Sequence, residues 1–200
     1  MTQVLAVAGG YLLGSLPFGY WLVRVFRGED IRTRGSGNVG ATNVFRVYGR
    51  RLGLAVALLD VTKGFAAAVL GLWAGGAVVG VLAGAAAMLG HARPVFLRFQ
   101  KGGKMVATAG GAALALAPLA ALSCVAVWLV IFLLTRYASL ASIVTALAVP
   151  VFAWLYGAHW AVLAFTAVGA VAILFLHRHN MHRLIAGTEH RFELRGLRRA

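Results

Sequence analysis

Acidic side chains are scarce in this sequence: five Asp and Glu stand against 19 Lys and Arg among 200 residues, a formal net charge of +14. That scarcity leaves little material for paired-carboxylate chemistry, and no acidic pair of the hydrolytic type falls in a polar loop. Cysteine is almost absent. Cys124 alone, set in apolar sequence, excludes an internal disulfide and a thiolate metal cluster. Polar residues of every kind are few: 61% of the chain is hydrophobic and mean hydropathy is +0.85, too little polar surface to keep a globule in water. The chain reads as one all-α, polytopic integral membrane domain over residues 1–200. Its first apolar run has no basic leading segment, so it reads as a retained helix and not a cleaved signal. With the charge carried on a membrane protein, anionic lipid surfaces are the expected partner, not nucleic acid. No internal repeat is visible, and nothing calls for an obligate protein partner.

What is present falls into apolar runs long enough to cross a bilayer, about 20 helical residues each. The first covers about Val4 to Phe26 and contains GSLPFGY, where proline breaks the helix and frees backbone groups that something polar must satisfy. A second covers about Leu52 to Trp73. It holds Asp60 and Lys63 one turn apart on one face, where they neutralise each other, either as a structural pair or in a functional role. A third covers about Ala77 to Ala92; Gly76, Gly80 and Gly84 read as a smooth stripe for close helix packing. Met105 to Thr135 is too long for one span and too short for two. Placing a short helix at Val106 to Ala117 and a further span from Leu119, followed by about Ser139 to Tyr156 and Trp160 to Leu176, gives about seven spans with a short fourth. With the N-terminus outside and the C-terminus cytoplasmic, every Lys and Arg but Lys63 then falls on one side, including the basic tail from Arg178 to Arg199.

Three polar segments share that side. Gly35 to Arg46, GSGNVGATNVFR, combines glycines that turn tightly (Gly35, Gly37, Gly40) with neutral donors (Ser36, Asn38, Thr42, Asn43) and the forked cation of Arg46, an inventory suited to a phosphate or carboxylate. The plainer reading is a glycine-rich connection between helices. KGGK at 101–104 would open the short helix, so Lys104 would add full charge where a helix N-terminus already favours an anion. It is not a nucleotide loop, since the upstream glycine is missing and Met105 stands where Ser or Thr would hold magnesium. HRHN at 177–180 sets His177 and Asn180 together at a helix end, His177 having the intrinsic pKa of an acid or base. His91 and His159 read as interfacial. A metal at the C-terminal histidines would need acidic partners, for which only Glu189 and Glu193 are near in sequence, so no metal is expected. There is no G-x-S-x-G elbow, and no H-x-x-x-x-D pair of the kind acyl-CoA-dependent acyltransferases use. Donors and cations without an evident base suit a substrate that arrives already activated. An anion transporter and a non-catalytic lipid-binding protein would also gather such residues.

GSLPFGY, GSGNVGATNVFR, DVTKG at 60–64, KGGKMVAT and HRHNMHRLIAGTEHRF, in this order and spacing over almost the whole chain, resemble the bacterial acyl-phosphate:glycerol-3-phosphate acyltransferases. The resemblance implies a seven-helix enzyme of the bacterial inner membrane that moves a fatty acyl group from acyl phosphate to the 1-hydroxyl of glycerol 3-phosphate, using no cofactor. It implies catalytic roles for Ser36, Arg46, Lys104, His177 and Asn180. Gly37, Asn38, Gly40, Thr42, Asn43, Gly102, Gly103, Thr108 and Ser142 would bind the two phosphate substrates, with the Gly102 and Gly103 amides donating. The family motif usually continues KGGKGVAT. Met105 replaces its last glycine, which matters if that position needs positive φ or close approach to substrate.

Overall fold

The computed structural model describes residues 1–192, and Glu193 with the rest of the basic tail lies outside the described residues. The described chain is all helix and loop. It forms two compact units, Met1–Pro118 and Leu119 onward.

In the first unit α1 (Thr2–Gly14) and α2 (Phe18–Arg27) are the two halves of the first apolar run, broken at Pro17. Gly28 ends α2 in the left-handed conformation, its amide donating to Arg24 O, which glycine does at least cost. After the polar island comes α3 (Ala41–Tyr48). The next helix, α4 (Arg50–Ala92), is interrupted at Gly75 and Gly76, where φ/ψ leaves the helical region. A straight helix would hold residues 71 and 80 about 13 Å apart. Instead a Cβ on Gly71 would lie 2.7 Å from the Gly80 Cα, so α4 is a hairpin with Gly75–Gly76 at its apex. The glycine stripe expected for packing is thus revised at one position: Gly76 turns the chain, at φ 74 with open space around it, whereas Gly80 packs on Leu72 and Leu116.

Small residues let the remaining helices close on this hairpin. α1 lies parallel to the second arm, with Gly10 against Ala83 and Gly14 against Ala87, so close that a Cβ on either would overlap a backbone carbonyl. α5 (Val106–Leu116) crosses the first arm where Gly64 meets Thr108 and Gly111 meets Val61. Beneath the polar island a fully apolar cluster of Val23, Ile31, Val39, Val44, Val56 and Leu97 joins α2, the loop, α3, α4 and the segment leading to KGGK.

The second unit contains α6 (Pro118–Thr135, whose first residue closes the other unit), α7 (Ala138–Leu155), α8 (Trp160–Leu176) and α9 (Arg178–Ile185), the last bent 60° from α8. Proline opens α6, where its missing N–H has no helical partner to lose. His159 is exposed and caps α8 by accepting from Ala161 N at 3.2 Å.

Every apolar run inferred from the sequence is helical. Among the described residues four helical stretches are long and apolar enough to cross a membrane: Thr2–Arg27, which holds α1 and α2, Arg50–Leu97, which holds the α4 hairpin, Pro118–Thr135 and Ala138–Leu155; Trp160–Leu176 with Arg178–Ile185 makes a fifth. Leu58, Trp73, Leu133, Leu134, Val168 and Val171 are exposed side chains of the kind that face lipid in a membrane protein.

Candidate active site

The polar island is a rigid scaffold whose own asparagines build it. Gly35 and Gly37 take positive φ, as the tight turn requires. Asn43, 2% exposed, accepts from Ser36 N at 2.9 Å and donates to the carbonyls of Arg34 at 3.0 Å and Asn38 at 2.9 Å. Both amide hydrogens and the carbonyl oxygen of this side chain are thereby engaged. Asn43 therefore builds the loop. Asn38 behaves similarly: its Oδ1 accepts from Gly40 N at 2.8 Å and its Nδ2 donates to Gly102 O at 3.1 Å. What the scaffold presents is the exposed Ser36, the exposed Thr42 and the half-buried Arg46, the last two one turn apart on α3.

Two bonds tie this island to the loop before α5. Asn38 to Gly102 is one. The other runs from Arg32 Nη1 to Gln100 Oε1 at 2.7 Å. Arg32 is itself fixed by Asp30, whose carboxylate caps the turn Ile31–Thr33 through Arg32 N and meets the guanidinium at 2.6 Å. The Arg32 hydrogen bond holds the Asp30 carboxyl below the usual carboxylate range. Two sequence-distant motifs are thus joined within the first unit, and Lys104 is half-buried.

The glycine amides of the KGGK loop are bonded to the end of α4. Gly102 N donates to Ala92 O and Gly103 N to His91 O, each at 2.9 Å. Thr108 is fully buried with its backbone on Gly64, and its hydroxyl has no hydrogen-bond partner among the described residues. Met105 caps α5 at φ 68, the left-handed conformation glycine tolerates best, with its side chain buried. Replacing it by glycine relieves a backbone cost of about 1–2 kcal/mol but forfeits buried apolar surface of about the same size. Met105→Gly should therefore shift stability by less than about 1 kcal/mol with turnover equal or higher, while the β-branched Met105→Val should cost about 2 kcal/mol or more. Thermal unfolding and turnover of the two variants check this.

Behind the loop lies a buried cluster centred on Lys63. Its ammonium meets Asp60 Oδ1 at 2.8 Å, the carbonyl of Leu16 at 2.9 Å and His91 Nδ1 at 2.9 Å, which accounts for all three of its N–H bonds. The Leu16 carbonyl lies at the Pro17 break and accepts from Phe18 N at 3.1 Å as well as from Lys63. His91, expected at the interface, is instead 6% exposed; the hairpin carries it back beside Lys63. Since Lys63 donates to Nδ1, the ring proton sits on Nε2, toward Gly103.

The second unit holds its own polar cluster. His177, 3% exposed, sits at the bend between α8 and α9. Its Nδ1–H donates to Ile173 O at 2.8 Å, which makes Nε2 the basic nitrogen. Asn180 donates to Glu189 Oε1 at 2.8 Å, Ser139 donates to the same oxygen at 3.0 Å, and Arg183 meets Oε2 at 2.7 Å. Ser142 donates to Ala138 O and accepts from Trp128 Nε1. Sequence reasoning missed Ser139 and gave Glu189 no role beyond a weak metal candidate, although GTEHRF contained it. Burial alone would raise the Glu189 carboxyl, but hydrogen bonds from Asn180, Arg183 and Ser139 and the charge of Arg183 outweigh it and hold it below its ordinary 4.5. Its contribution to stability is complete above that value and lost as pH falls through the lower folded one. Glu189→Gln should thus melt below the parent near neutral pH, and the gap should close as pH falls below 4.5.

The chain resembles known proteins over its whole length. Residues 4–187 match the family model described as glycerol-3-phosphate acyltransferase. A glycerol-3-phosphate acyltransferase of Desulforudis audaxviator (strain MP104C) is 45% identical over 195 residues, 98% of each chain, and one from Synechococcus sp. (strain JA-2-3B'a(2-13)) is 47% identical over 191 residues, 96% of this chain and 95% of the other. Among solved structures, the crystal structure of PlsY, an integral membrane glycerol 3-phosphate acyltransferase, in its glycerol 3-phosphate form superposes with a TM-score of 0.95 at 42% identity over 100% of both chains. Its lysophosphatidic acid form gives 0.89 over 96% of each.

Proposed function

Since the chain belongs to the glycerol-3-phosphate acyltransferase family and is an integral membrane enzyme, we propose that it takes its acyl group from an acyl phosphate and passes it to the 1-hydroxyl of glycerol 3-phosphate. The products are lysophosphatidic acid and inorganic phosphate. The 1-hydroxyl oxygen attacks the acyl carbonyl, the bond from acyl carbon to phosphate oxygen breaks, and the departing phosphate takes the hydroxyl proton. An acyl phosphate is a mixed anhydride, activated before it arrives, so the protein's part is positioning and charge stabilisation.

Ser36, Thr42 and Arg46 hold phosphate and polarise the acyl carbonyl, and Lys104 takes up the charge that grows on the leaving phosphate. His177 and Asn180 place glycerol 3-phosphate. The observation that supports this reading is the bond from Asn38 to Gly102, which ties the segment carrying Arg46 to the loop carrying Lys104. Seven crossings, with the N-terminus outside and the reacting surface at the cytoplasmic face of the bacterial inner membrane, agree with the hairpin of α4 and the placement of the basic residues.

Purified enzyme given acyl phosphate and glycerol 3-phosphate tests the proposal. Phosphate should appear only when both are present, and acyl-CoA should not replace the donor. Donor binding without release, or efficient use of acyl-CoA, would refute it.

A further inference from the structure

We propose that His91 is a positioning residue for Lys104: its imidazole is the seat on which the Gly102–Gly103 backbone is laid, and Asp60 and Lys63 fix the ring at the angle that makes it one. The inference rests on the reading that Lys104 acts on the departing phosphate.

Three observations meet at this ring. A Cβ on Gly103 would fall on top of the imidazole, so the backbone here lies against the ring at a distance that no other residue permits. The amides of Gly102 and Gly103 are bonded to the carbonyls of Ala92 and His91, which pins the loop to the last turn of α4 at two consecutive residues. The ring has one orientation, because Lys63 donates to Nδ1 while held by Asp60 and by the Leu16 carbonyl. Lys104 is the next residue along. Its amine rides on a backbone whose height is set by the thickness of the imidazole, and a displacement of about 1 Å in a group that stabilises a transition state costs about 100-fold in rate. The same seat fixes the Gly102 carbonyl that Asn38 grips, so the ring sets the spacing of Lys104 from the polar island as well.

A size exchange tests the contact. In single-turnover phosphate release with the full-length enzyme in excess, His91→Ala and Gly103→Ala should each lower the rate about tenfold or more. In the double variant the new methyl occupies the space the ring vacates, so it should run at least about threefold faster than Gly103→Ala alone. Losses that simply multiply would overturn the inference. A second comparison separates positioning from folding. His91→Asn retains an oxygen where Nδ1 stood and so keeps an acceptor for Lys63. It should slow the parent about tenfold but the Lys104→Ala enzyme by less than about twofold, because a seat has no effect once its occupant is gone. Equal losses in both backgrounds would make His91 merely structural. Should Lys104→Ala itself run at the parental rate, the leaving-group reading fails; should it be slow while His91→Asn is silent, only the present inference fails.

Discussion

Lys104→Ala should lower kcat by about 100-fold or more, the scale of losing one donor aimed at transition-state charge. The expectation follows from chemistry and placement together. When the acyl–oxygen bond breaks, negative charge accumulates on phosphate, and a cation is worth most where charge grows, not where it already stands. Lys104 lies at the start of α5, whose N-terminal amides and dipole favour the same charge. Because the interaction strengthens along the reaction, kcat and kcat/KM should fall together while KM for glycerol 3-phosphate changes little. A rise in KM with kcat preserved would reassign Lys104 to ground-state binding.

Lys63→Ala should be the most damaging single change to stability, at about 3–5 kcal/mol. Removing the ammonium leaves the Asp60 carboxylate, 2% exposed, without its cation and takes a donor from the Leu16 carbonyl and from His91 Nδ1 at once. Replacing both partners, Asp60→Leu with Lys63→Met, should cost less than Lys63→Ala alone, since no lone charge remains buried. Thermal unfolding in detergent decides: a double variant worse than the single would contradict the account.

The helices were legible because hydropathy reports burial in lipid regardless of partner, and each apolar run is helical where it was read. The polar motifs were legible as motifs, from residue type and order. What each side chain does inside a motif was harder. Asn43 and Ser36 both carry hydrogen-bonding groups, and only the loop's path shows that Asn43 is enclosed while Ser36 faces out. Ser139 and Ser142 lie on one face of α7, and nothing local tells which of them meets Glu189. His91 was misplaced for a clearer reason. A histidine at the end of an apolar run reads as interfacial when the run is taken alone, whereas its position is set by the hairpin. With the apex at Gly75–Gly76, residues 60 and 91 are equidistant from the turn, so locating the apex would have paired them.

The ion pair within the first arm of that hairpin bears on how the protein is made. Asp60 and Lys63 belong to one helical turn, so they meet as soon as that turn forms, before the second arm or α1 has been set beside them. A lone charge at mid-bilayer resists transfer from the translocon by about 2.5–3.5 kcal/mol. A nascent segment that neutralises its own two charges reaches lipid carrying far less of that resistance, and the lysine keeps two hydrogens in reserve for the neighbours that arrive during bundle assembly.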